Sequence, residues 1–171
     1  MDASEIVGIA AEDVLQVAGL PLHPLIVHAV VVLTPLTVLA LLLGTFWPSA
    51  RRRLGIVTPL GALVVLVLVP ITVLAGQTLA EVIGPIPAVE RHRGLGEMLL
   101  PWAIALFVVA AAQWAWFRFG DARIREGSPT AARAVVIGLA AASVVVGVGT
   151  VVLLVLIGDS GSRAVWGGIL G

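Results

Sequence analysis

The sequence predicts an all-α fold, a four-transmembrane-helix bundle with a short N-terminal amphipathic interfacial helix. Three observations predict it. Of 171 residues, 60% are hydrophobic and only 12% charged, and the mean hydropathy of +1.12 lies far outside the soluble globular range. Four apolar stretches, residues 25–46, 54–76, 98–117 and 134–157, are each long enough to cross a hydrocarbon core of ~30 Å as a helix. Within them the only titratable side chain is His28. The alternating ten-residue pattern of a membrane barrel is absent. One membrane domain, 20–171, therefore follows an outer-face segment, 1–19.

The segment "DASEIVGIAAEDVLQV", residues 2–17, reads as a short amphipathic helix on the outer leaflet. Asp2 and Glu5 resemble a capping box, and Ile6, Ala10, Val14 and Val17 form one stripe. It carries Asp2, Glu5, Glu12 and Asp13 but no arginine, so it lacks the positive region of a secretory signal, and 25–46 is a retained span. Pro35 and Pro70 fall mid-span and should kink their helices. In the fourth span Gly138 with Ala142, and Ser143 with Gly147, are small residues four apart, suited to close helix contact. Residues 77–97 read as a loop.

Orientation follows from arginine, the only basic residue type used. Seven arginines (51, 52, 53, 118, 123, 125 and 133) lie at one end of the spans and three (91, 93 and 163) at the other. The positive-inside rule puts the arginine-rich end in the cytoplasm and both termini outside. Trp47, Trp114 and Trp116 then mark the inner boundary and Trp102 and Trp166 the outer one, as an aromatic belt requires. Arginine without lysine, beside heavy Ala, Val and Gly usage, points to a GC-rich bacterial genome and hence to a bacterial plasma membrane.

The composition also excludes. A formal net charge of zero with no basic patch gives no footprint for nucleic acid. With no cysteine there are no disulfides, iron–sulfur clusters, thiolate nucleophiles or covalently attached haem. "GDSG", 158–161, matches the nucleophile segment of trypsin-like proteases, but it stands where a membrane helix emerges and no strand-rich body surrounds it. "GVGTVV", from Gly147, lacks the third glycine and the preceding strand of a dinucleotide fingerprint.

The chemistry-bearing residues gather at the outer end. His23 precedes Pro24, which disfavours helical geometry for His23 and makes Pro24 a natural first helical residue, so His23 is expected at the mouth. His28 lies about 6 Å deeper and ~140° away around the helix, so its partner should come from another span. A buried imidazole must be hydrogen-bonded, paired or metal-bound. Glu81, His92, Glu97 and Asp159 sit at the same level, and His28, Glu97 and Asp159 are expected to converge there with His92 within reach.

"LHPLIVH" at 22–28, the His92, Gly96 and Glu97 arrangement, and the closing "GDSGSRAVWG" resemble the bacterial domain of unknown function 2231 family of four-span membrane proteins. The resemblance covers nearly all of the chain from about residue 20. Members usually follow the second histidine with Phe-Pro, where this chain has Ala29 and Val30. Many carry histidine in the terminal motif, where this chain has Asp159. The family implies no established activity. Some relatives joined to cytochrome or Rieske-type redox domains suggest electron transfer.

Three function classes follow. The preferred one is a structural or accessory membrane subunit whose outer cluster locks the helix ends together, and an enzyme is disfavoured because no activated nucleophile is evident. The second is a redox protein binding b-type haem through His28 and His92, with Asp159 as acceptor for an imidazole N–H. The third is a metal or proton site of His28, His92, Glu81 and Glu97. The lipid bilayer is the surrounding partner, and a homo-oligomer or a membrane redox complex is compatible with each. A transporter is disfavoured, because four spans make a thin bundle and no polar residues are expected at the midplane.

Overall fold

Three helices begin on proline, whose missing N–H costs nothing at a first helical position and whose fixed φ suits one. These prolines, Pro48, Pro87 and Pro129, follow extended residues and set the chain's corners. The computed structural model describes residues 16–17 and 20–167. Gln16–Val17 (β1) and Leu20–Pro21 (β2) form a two-residue antiparallel pairing, so no helix reaches Val17, and the rest of the expected amphipathic helix lies outside the described residues. Then come α1 (Leu22–Phe46), α2 (Pro48–Leu54), α3 (Val57–Ile83), α4 (Pro87–Glu97), α5 (Leu99–Ala115), a π-helical turn (Trp116–Gly120), α6 (Asp121–Gly127) and α7 (Pro129–Trp166).

Four helical rods are long and apolar enough to cross a membrane: α1, α3, the 41 residues from Pro87 to Gly127, and α7. We call them spans one to four. Each antiparallel span packs along its two neighbours, one on two, two on three, three on four and four back on one, while the diagonal from one to three barely touches. The bundle is a closed square. Positive φ at Gly55 (46°) and Gly84 (87°), a region that side chains disfavour, turns the chain before span two and ends it.

Several boundaries differ from the expectation. Span two runs on to Ile83, and most of what reads as loop, 77–97, is helix, because Pro87 opens α4 and Met98 keeps helical angles into α5. Span four has 38 residues, about 57 Å at 1.5 Å per residue, so it projects beyond the hydrocarbon. Span one starts at Leu22, with His23 already helical and Pro24 in the first turn.

Amphipathicity nearly vanishes along the spans because lipid is as apolar as the core. Val32, Leu36 and Leu39 of span one stay exposed. Packing within is by shape. At the histidine end Val30, Val69, Leu99, Ala103 and Leu153 form one core layer, and toward the arginine end Val38, Leu41, Ala62, Leu106 and Ala110 form another. Gly147 admits Val38 as expected, whereas Gly138 faces open space. The indole of Trp102, expected near the outer boundary, lies directly over Gly149 of span four. The interior also holds hydroxyls, contrary to the expectation of an apolar midplane. Thr34, Ser143 and Thr150 are fully buried, and Thr150 returns its proton to the Val146 carbonyl of its own helix at 2.7 Å.

Candidate functional site at the histidine end

Two histidines meet at the end of the bundle opposite the arginine clusters, and they are His23 and His92. Their ring centroids are 6.2 Å apart and their planes nearly perpendicular, at 83°. His23, in the first turn of span one, donates from Nδ1 to the Thr72 carbonyl of span two at 2.8 Å. His92, on α4, donates from Nδ1 to the Ile157 carbonyl of span four at 3.1 Å, with the Ser160 hydroxyl equally close. Ser160 is buried and bonds the same carbonyl at 2.8 Å. A carbonyl oxygen only accepts, so each ring nitrogen facing one carries a proton, and Nε2 is the nitrogen that keeps a lone pair whenever the ring is neutral.

Glycines make this meeting sterically possible. A Cβ on Gly76 would stand 2.9 Å from the His23 ring, and one on Gly161 would stand 3.0 Å from the His92 ring. Both are closer than ordinary van der Waals contact, so any side chain there would push the imidazole away. The pair thus joins all four spans: span one to span two through His23, and span three's leading helix to span four through His92.

The remaining candidates stand outside this contact. His28 is exposed, and its Nδ1 donates to the Pro24 carbonyl one turn back at 2.6 Å. The expected convergence of His28 with Glu97 and Asp159 is therefore not found. Five residues along one helix turn a side chain by ~140°, so with His23 inward His28 must face outward. Glu97 is exposed and accepts from Gln77 of span two at 2.9 Å and from Arg93 at 3.2 Å. Asp159 pairs with Arg163 on its own helix at 2.9 Å, with both side chains exposed. Glu81 is exposed at the end of span two. Among the described residues no group of three or more His, Asp and Glu is placed to hold a metal ion.

Sequence reasoning missed Thr72, Gly76, Ser160 and Gly161. The last two sit inside the protease-like "GDSG", which is simply helix in span four. The available signal was Pro87, because a helix starting there carries His92 one and a half turns in, facing a neighbouring span.

No curated protein and no solved structure matches the chain. The family comparison does match, over residues 19–171, a family described as a predicted membrane protein, and the four apolar rods fit that description. The chain belongs to the domain of unknown function 2231 family.

Proposed function

We propose that this chain is a structural or accessory subunit of a bacterial plasma membrane, with its arginine-rich end in the cytoplasm and both termini outside. In this reading the histidine pair fastens the outer ends of the spans. The observation that carries it is the His23–His92 contact, in which each ring is hydrogen-bonded to, and seated on a glycine of, a different neighbouring span. Unfolding of His23→Ala, His92→Ala and the double variant tests it. A fastener gives a coupling energy of about 0.5–3 kcal/mol between the two sites, as for residues in direct contact. Strict additivity would refute it.

A second reading keeps the b-type haem hypothesis but moves it from His28 and His92 to His23 and His92. What favours it is the orientation of the two rings, both with Nδ1 donating to a carbonyl, the outer hydrogen bond that metal-ligating imidazoles make. Reduced-minus-oxidised visible spectra of protein from a haem-sufficient host decide between the readings. An α-band lost in His23→Ala and kept in His28→Ala supports haem. A colourless, metal-free, folded preparation supports the fastener.

A further inference from the structure

At the opposite end of the bundle the end of span one, α2, the start of span two and the end of span three line an open cavity of about 220 Å³. Three arginines line it, Arg51, Arg52 and Arg118, together with Gln113, and no carboxylate does. Gln113 is 5% exposed and donates to the Thr45 hydroxyl at 2.5 Å, so this wall is fixed. Arg51 is fixed as well. Its Nε and one Nη donate to the Gly44 and Thr45 carbonyls at 2.6 and 2.8 Å, and its guanidinium lies 3.4 Å over the Phe117 ring.

The charge in this cavity is undercompensated. Two of the five Arg51 N–H groups are used by those carbonyls, which leaves three. Burial disfavours its charged form, Asp121 offsets part of that, and Arg52 adds to it. Asp121 itself is bound by both oxygens to Arg125, at 2.7 and 2.9 Å. Among the described residues Arg52 and Arg118 have no carboxylate within ion-pair distance, and Asp121, the carboxylate that offsets the burial of Arg51, is already engaged by Arg125. Leu54, Ala110, Trp114 and Phe117 add apolar wall beside the arginines. A basic cavity between membrane helices at the boundary layer is the general form of an anionic-lipid site.

We propose that this cavity binds the phosphate headgroup of an anionic phospholipid, with Arg51 and Gln113 as its fixed floor and Arg52 and Arg118 as the two arms that close on the phosphate. A diester phosphate takes the free guanidinium donors bidentately, and its acyl chains lie along the lipid-facing side of the spans. Free phosphate offers the same anion without the chains.

Native mass spectrometry of the delipidated full chain, given equimolar phosphatidylglycerol and phosphatidylcholine, tests this. Phosphatidylglycerol should be retained preferentially. Each arm should contribute roughly fivefold, equivalent to the ~1 kcal/mol that a basic residue supplies near an anionic headgroup. Arg52→Gln with Arg118→Gln removes both, and since both are exposed and hold no ion pair in the fold, with Arg118 only resting over the exposed Phe119 ring, the variant still assembles. The preference should fall by roughly 25-fold, while Arg123→Gln with Arg133→Gln, at the same end but outside the cavity, should keep it. Equal retention of the two lipids by the wild-type chain overturns the proposal without any variant. Equal loss in the control pair also overturns it, because the attraction would then be a diffuse surface effect. Displacement of phosphatidylglycerol by inorganic phosphate would assign the cavity to a soluble anion and overturn the lipid assignment.

Discussion

Gly149→Ala should destabilise this protein although alanine is the better helix former. A Cβ at residue 149 would lie 2.0 Å from Cζ3 and 2.1 Å from Cη2 of Trp102. Ordinary contact begins at 3.4 Å, so the indole would have to retreat by 3.4 − 2.0 = 1.4 Å. It moves as one rigid plate on two torsions, and it is packed against the core layer containing Val69 and Leu153. Overpacking of this kind costs about 1–3 kcal/mol. Gly138→Ala is the matched control, because it lies on the same helix with nothing within 4 Å of its Cβ. Both substitutions gain the same ~1 kcal/mol of helix propensity, so the difference between them isolates the clash. Thermal unfolding in detergent should separate the two variants by the clash energy, at about 2–4 °C per kcal/mol for a chain of this length. The gap should close in a Trp102→Ala background. The reasoning fails if Gly149→Ala melts with Gly138→Ala, or if the gap survives removal of the indole.

Further outcomes follow from the two ends of the bundle. His23→Ala should cost about 1–2 kcal/mol through the lost bond to span two, while His28→Ala should stay within about 0.5 kcal/mol; detergent melting of the two side by side checks the order. Arg51→Gln should cost about 2 kcal/mol, because two carbonyls at the end of span one lose charged donors, and chemical unfolding would register it as a lower midpoint. Reporter fusions at Ala50 and Gly127 should both give cytoplasmic signals, and an external signal at either would reverse the proposed orientation.

Span number and the separation of arginine from histidine were legible because hydropathy and charge are written residue by residue. Helix rotation was less so. The inward stripe of span one runs His23, Val30, Thr37, Gly44, at intervals of seven, and three of its four members are polar or small. In lipid, where apolarity no longer distinguishes inside from outside, such residues mark the packing face. Extended back from Thr37 and Gly44, that rule selects His23 and turns His28 outward. Depth alone, the criterion that favoured His28, does not determine facing. The contacts of Gly76, Gly149 and Gly161 were not legible, because each depends on which ring from another helix arrives at its level.

The square arrangement of the spans also fixes an order of assembly. A chain that enters the bilayer from its N-terminus has spans one to three in place before span four exists, and their packing leaves an open trough. Val38 and Leu42, which pack against Gly147 of span four in the finished bundle, then face lipid along that trough. The seam between the first and last spans is sealed only when the final 38-residue helix arrives. A nascent chain truncated before residue 129 would hold three correctly inserted helices and still be an exposed half-shell, marked for quality control by the unsealed edge of its first helix.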